Sequence, residues 1–178
     1  RTEALGKDMY VCPDCGEMTE IYHSCKNRFC PTCSWNDTLQ WADRISNNML
    51  DIGHRHAIFT LPHQLNPLIK RNRKILLNIL MRTSADTLND WIGNKYGIQC
   101  GIISVLHTFG EKKDSHYHTH MIVSWGGINK KTGEKEQIKG EYVNFKFLKK
   151  KFRIKFEDQL IKAFDDGLLS HDFARRSS

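Results

Sequence analysis

"HTFGEKKDSHYHTHMIV", residues 107–123, places four histidines within fourteen positions of a segment that otherwise has β character. Side chains two apart on an extended chain point to the same face of a sheet, so His118 and His120, which bracket Thr119, share a face. His107 lies eleven residues before His118. With Gly110 and the polar link "EKKDS" as a turn, the flanking runs "IQCGIISVLHTFG" and "YHTHMIVSW" read as a hairpin, and that pairing would bring His107 beside the other two. Three neutral imidazoles leave coordination positions for water and a phosphate oxygen, as metal-assisted phosphoryl chemistry requires. A lone histidine in a sheet is ordinarily structural, but three with compatible facing favour a metal. His116 shares that face yet lies at the turn, where it would support a ligand or contact DNA. His54 and His56 repeat the spacing around Arg55 at the start of another strand and stand as the rival pair, with no third partner nearby in sequence.

A second cluster lies near the N-terminus. Five of the six cysteines fall between Cys12 and Cys33, in the pairs "CPDCG" and "CPTC". A CxxC turn lets two thiolates ligate one tetrahedral zinc, and two such turns complete a closed four-sulfur site. Cys12, Cys15, Cys30 and Cys33 are therefore the expected zinc ligands, with His23 and Cys25 of "YHSCKNRFC" as possible substitutes. A closed site of this kind stabilises a fold and performs no catalysis. A redox role would need a thioredoxin-like context that the sequence lacks. Lys26 and Arg28, between the pairs, suit DNA contact as well as a plain surface loop.

The chain of 178 residues has room for one domain with a real core plus a small module, and not for several packed domains. Lys and Arg number 27 against 20 Asp and Glu, a formal charge of +7 that favours an anionic partner, nucleic acid first. No apolar run approaches the length of a membrane span and "RTEALGKDMY" has no signal core, so a soluble, cytoplasmic and nucleoid-associated protein is expected, with no membrane partner. Absence of an initial Met and the ending "FARRSS" suggest a piece of a longer chain.

Residues 8–35 read as a metal-organised knot, followed by a helix over 38–50 carrying Leu39, Trp41, Ala42, Ile45 and Met49. "RHAIFTLP" is one strand, stopped by Pro62. A helical stretch follows from Asn66 to Tyr96, with a break expected near Thr83 and Ser84. "GGINKKTGEKEQIKG" reads as an exposed loop or loose hairpin. A last helix from Phe145 to Phe164 sets Phe145, Leu148, Phe152, Phe156, Leu160 and Ile161 against a basic side that includes Lys149, Lys150 and Arg153. That charged side is either a solvated surface or a track for a phosphate backbone. Trp35, Trp41, Trp91 and Trp125 are candidate stacking residues, and Trp125 is the one expected to stack on a base, its removal costing about 1–3 kcal/mol of single-strand affinity.

The HxH pair with an upstream histidine resembles the HUH endonucleases. The series "CPDCG…HSCKNRFCPTC…HAIFTLP…LHTFG…HYHTHMIVSWGG" resembles the zinc-domain rolling-circle transposases of the insertion-sequence ninety-one family, over about Cys12 to Phe164. The resemblance implies an α+β fold: an antiparallel, palm-like (HUH/RRM-like) sheet flanked by helices over residues 38–178, after a zinc-binding module over 1–37. It also implies Mg²⁺ or Mn²⁺ on His107, His118 and His120, and single-stranded DNA with the hairpin ends of a mobile element as partner. A tyrosine would attack the scissile phosphate and leave a 5′-phosphotyrosine and a free 3′-hydroxyl; phenolate is a good nucleophile and leaving group, so joining can reverse cleavage. Two departures stand out. Thr119 occupies a position where the family pattern prefers a bulky apolar residue. After His120 only Tyr142 is available, and in "GEYVNF" it reads better as a packed or strand residue, so the nucleophile is expected beyond Ser178. Two alternatives remain: a zinc-dependent nucleic-acid-binding module without chemistry, and a related replication initiator or relaxase.

Overall fold

The computed structural model describes residues 2–25, 27, 30–110, 114–140 and 143–170. The chain divides into two compact units, Arg1–Met49 and Leu50–Ser178.

In the first unit, β1 (Lys7–Val11) and β2 (Met18–Tyr22) form an antiparallel hairpin in which Lys7 faces Tyr22 and Val11 faces Met18. Its turn is the first CxxC: the Gly16 N–H donates to the Cys12 carbonyl at 2.9 Å, and Gly16 has φ +73°, which glycine adopts without a Cβ penalty. The helix α1 (Trp35–Asn48) follows, its approach tied by the Ser34 hydroxyl donating to the Cys30 carbonyl at 2.6 Å. This helix belongs to the first compact unit, whereas the sequence reading set its boundary after residue 37. Among the described residues of the unit, Cys33 alone is a buried hydrophobic side chain. So small a segment with so little buried apolar surface needs another source of stability, and cross-linking its thiols through a metal would supply one.

The second unit begins with β3 (His54–Thr60), α2 (Asn66–Arg71), α3 (Arg73–Tyr96), β4 (Ile98–Gln99), β5 (Ile102–Phe109) and β6 (Ser115–Ser124). It continues with β7 (Gly126–Asn129), β8 (Lys135–Gln137) and α4 (Phe145–Asp165). The fold is α+β, with antiparallel sheets flanked by helices. The principal sheet has the order β3-β6-β5, which places the histidine strand β6 at its centre. A second sheet, β4-β7-β8, includes the Gly-rich stretch as a hairpin. Gly127 has no substitute in it: an added Cβ would lie 1.9 Å from the Gln99 carbonyl oxygen.

Alternation along β6 sorts the sheet into two faces. Tyr117, Thr119, Met121 and Val123 are buried on one, with Phe59 of β3, and the Phe59 ring meets Phe152 of α4 at 4.9 Å between centroids. Along α4, Leu148, Phe152, Phe156 and Ala163 complete that core. Phe145, expected on this apolar side, is 77% exposed. The opposite face of the sheet carries the histidines.

The helical break falls at Asn72, between α2 and α3, and α3 runs unbroken through Thr83 and Ser84. Their hydroxyl chemistry is absorbed within the helix: Ser84 donates to the Leu80 carbonyl at 2.7 Å, while the Thr83 carbonyl accepts from Thr87 at 2.7 Å. Asn72 is held instead by a reciprocal pair of bonds to the backbone of Ser170, at 2.7 and 3.0 Å.

Candidate metal centre

Strand pairing assembles the histidines. His107 of β5 lies directly opposite His118 of β6, and His120 sits between Ile58 of β3 and Val105 of β5. The ring centroids of His107 lie 5.2 Å from His118 and 4.4 Å from His120. One ligand atom from each of His107, His118 and His120 lies within 4.8 Å of the others. The structure thus gathers the three histidines named from the sequence. They are partly buried, and Ile58, Val105 and Ile122 around them are about half exposed, so the face is open to a large ligand.

Proton positions follow from the partners. His118 Nδ1 lies 3.1 Å from the His116 carbonyl, which only accepts, so Nδ1 carries the proton and Nε2 of the neutral ring is a lone pair. That Nε2 lies 3.1 Å from His120 Nε2. Two cis ligands about 2.1 Å from an octahedral cation stand about 3.0 Å apart, so this separation fits a shared metal ion. Burial, followed by the imidazoles of His107, His118 and His56, pushes the His120 pKa down and keeps the ring in its neutral, ligating form.

Thr119 faces the other way and is fully buried. Its hydroxyl donates to Ser84 Oγ at 3.4 Å, on a patch of α3 formed by the buried Thr83, Ser84 and Thr87. The departure from a bulky apolar residue is accommodated because small polar side chains on α3 meet it.

His56 is the residue whose place the sequence did not disclose. It stands diagonally across β3–β6 from His120, with Nε2 2.8 Å from His120 Nδ1 and the rings stacked at 18°. His54 is paired opposite Ser124, farther along the strand, and is not in the histidine group. His116 has its ring 4.9 Å from His118 and is also outside the ligand group.

The sulfur cluster differs in membership from the sequence expectation. Cys30 and Cys33 are grouped with Cys25, their sulfurs all within 4.8 Å, and Cys12 and Cys15 are not in this group. Cys25, which the sequence offered as a substitute ligand, stands in the group in their stead. The Cys33 N–H donates to Cys30 Sγ at 3.4 Å, and bonds from the Cys25 backbone and then its thiol lower the Cys33 pKa to about 6. Cys12 is likewise lowered, by the backbone N–H groups of Cys15 and Asp14. The Cys25 pKa is raised instead: a bond from the Asn27 backbone, which lowers it, is outweighed by the Cys33 thiol, burial and Cys30. His23 is engaged elsewhere, with Nε2 3.1 Å from Asp8 and Nδ1 3.1 Å from the Leu5 carbonyl.

Lys149, Lys150 and Arg153 are exposed on α4, whereas Lys151 and Lys155 are turned to Asp90 of α3. Trp125 corrects an expectation: it is 7% exposed, its indole N–H donates to the Gly140 carbonyl at 2.9 Å, and the Arg55 guanidinium covers the ring at 4.1 Å. It offers no free face to a base, and Trp125→Ala should instead cost about 3–5 kcal/mol of stability. Lys26, Arg28 and Tyr142 lie outside the described residues. No helix among the described residues is long and apolar enough to cross a membrane.

Two family models match the chain in sequence. Residues 1–61 match one described as "Transposase zinc-binding domain", and residues 101–178 match one described as "Putative transposase". The chain belongs to the insertion-sequence ninety-one family of transposases, with an N-terminal zinc-binding domain. It is 31% identical over 172 residues to "Putative transposase y4qJ" of Sinorhizobium fredii, covering 95% of this chain and 43% of the relative. It is 35% identical over 130 residues to the transposase for insertion sequence element IS801 of Pseudomonas savastanoi pv. phaseolicola, covering 72% and 31%. The chain thus spans less than half the length of these relatives. Among solved structures it is similar to the conjugative relaxase TrwC in a metal-bound complex with oriT DNA, at 15% identity and a TM-score of 0.47, over 60% of this chain and 42% of that one.

Proposed function

We propose that the chain is the metal- and DNA-binding part of a single-stranded DNA strand transferase of the HUH type, in which His107, His118 and His120 hold one Mg²⁺ or Mn²⁺ ion. The observation that supports this most directly is the facing pair of Nε2 atoms of His118 and His120, 3.1 Å apart, with His107 completing the group on an open sheet face. A cation held there would withdraw charge from the scissile phosphate. The histidines would fix where that phosphate sits, with His116 beside them, and the positive charge of Lys149, Lys150 and Arg153 on α4 and of Lys26 and Arg28 would draw the phosphate backbone to the chain.

The nucleophile in this reading is a tyrosine beyond Ser178, with Tyr142 a weak candidate. Its phenolate forms an O–P bond to the 5′-phosphate while the P–O3′ bond breaks, and the departing oxygen takes a proton from water to leave a 3′-hydroxyl. Reversal of the same two bond changes rejoins the strand. The cysteine module over residues 1–37 would bind structural zinc and position the hairpin ends of a mobile element, and residues 38–178 would form the catalytic palm. Such work belongs inside the cell, at the nucleoid.

The test compares wild type with a His118→Ala, His120→Ala double variant, in metal content, Mn²⁺ titration and covalent attachment to single-stranded DNA by a chain extended past Ser178. A Mn²⁺ site and DNA attachment that are both lost in the variant support the reading. Equal metal binding and cleavage by the variant would replace it with a zinc-organised binding module.

A further inference from the structure

We infer that His56 is the positioning residue for His120: it accepts the Nδ1 proton of that ring and thereby presents Nε2 to the metal. The inference rests on the proposed metal site and adds to it a fourth histidine, from a different strand.

His120 has two ring nitrogens and, when neutral, one hydrogen. Its Nε2 faces the His118 Nε2 lone pair at 3.1 Å, and its Nδ1 faces His56 Nε2 at 2.8 Å. In the absence of a cation, a continuous arrangement is open to the three rings: His56 Nε2–H donates to His120 Nδ1, His120 Nε2–H donates to His118 Nε2, and His118 Nδ1–H donates to the His116 carbonyl. A cation at Nε2 of His120 cannot coexist with a proton there. The hydrogen must then reside on Nδ1, and the acceptor placed to receive it is His56 Nε2, with the His56 proton moved to its own Nδ1. Each ring remains neutral and the count of protons is unchanged.

His118 needs no such partner, because the His116 carbonyl already enforces its tautomer. Among the described residues the partner of His120 Nδ1 is His56 Nε2, not a backbone oxygen, which is why a side chain on β3 matters. The outer nitrogen of a metal-ligating histidine is commonly bonded to a group that orients the ring and raises its basicity, and loss of that group typically weakens metal binding 10–100-fold. An imidazole does this job as an acceptor only while neutral.

The experiment separates the acceptor from the ring. His56→Phe keeps a stacked ring and removes the acceptor; His56→Gln keeps an acceptor oxygen at similar reach and removes the ring. Mn²⁺ binding to the zinc-loaded protein is measured by titration calorimetry, with thermal unfolding as the check that each variant folds; His56 is exposed, so little change in melting is expected. The expected result is affinity weakened about 10–100-fold in His56→Phe and restored to within about threefold of wild type in His56→Gln. Wild-type affinity in His56→Phe, or equal weakening in both variants, would overturn the positioning role. Failure of the underlying reading looks different: the His118→Ala, His120→Ala variant would then keep the Mn²⁺ site.

Discussion

Thr119 offers a sharp test of how the sheet behind the metal centre is packed. Thr119→Val exchanges a hydroxyl for a methyl of nearly the same shape. The bond lost is the one to Ser84 Oγ, at 3.4 Å, well beyond the usual hydroxyl–oxygen distance of about 2.8 Å. It therefore belongs at the low end of the usual range, about 0.5 kcal/mol. Ser84 keeps its own bond to the Leu80 carbonyl, so no buried donor is stranded. Against that loss stands the burial of one methyl in a fully enclosed position, about 0.8 kcal/mol. The expected outcome is a variant within about 0.5 kcal/mol of wild type, on the stable side. Thr119→Leu adds volume where Thr83, Ser84 and Thr87 leave none, and overpacking there should cost about 1–3 kcal/mol. Urea unfolding followed by the fluorescence of the buried Trp91 and Trp125 reads both changes, with Mn²⁺ affinity measured in parallel. Affinity should hold in the Val variant and fall in the Leu variant, which must displace the backbone between two ligands. A cost above about 1.5 kcal/mol for Val, or a Leu variant as stable as wild type, would refute this account of the packing.

Other changes carry equally definite outcomes. Gly127→Ala drives a Cβ into the Gln99 carbonyl and should destabilise Leu50–Ser178 by about 3 kcal/mol in the same urea assay. Ser104 has a buried hydroxyl with no hydrogen-bond partner among the described residues, so Ser104→Ala should raise stability by about 1 kcal/mol. The Asp90 carboxyl is held below its ordinary pKa by a hydrogen bond from Lys155 and by the charges of Lys155 and Lys151. A depressed carboxylate contributes stability above its unfolded pKa, near 3.9, and loses it as pH falls through the folded value. Asp90→Asn should therefore cost about 0.5 kcal/mol at pH 7, as exposed pairs do, and the difference should shrink as acid protonates the folded carboxyl. Cys25→Ser should reduce zinc content as much as Cys30→Ser does if the grouped sulfurs form one site; full zinc occupancy in Cys25→Ser would remove Cys25 from it.

Local chemistry made much of the molecule legible in the sequence. Strand periodicity put His118 and His120 on one face, a short polar link around Gly110 made β5 and β6 neighbours, and that hairpin delivered His107. These are short-range relations, in which spacing along the chain translates directly into position. The paired CxxC turns, the amphipathic α4 and the strand ending before Pro62 were legible for the same reason. The position of the helical break was not, since Asn72 is held by Ser170, far along the chain, and Thr83 and Ser84 found their partners within the helix. Nor was the burial of Trp125, which depends on Arg55 and Gly140. Composition alone could not choose between a stacking platform and a core residue.

The sequence by itself thus determined which side chains could bind metal and which of them lie on a common strand face, because a period of two is a property of the backbone. Tertiary structure decided who their neighbours are. The order β3-β6-β5 sets His56 beside His120 across a separation of 64 residues, and the described residues group Cys25 with Cys30 and Cys33. The first depends on contacts between distant segments, whose energies belong to the assembled core and to no stretch of sequence read alone.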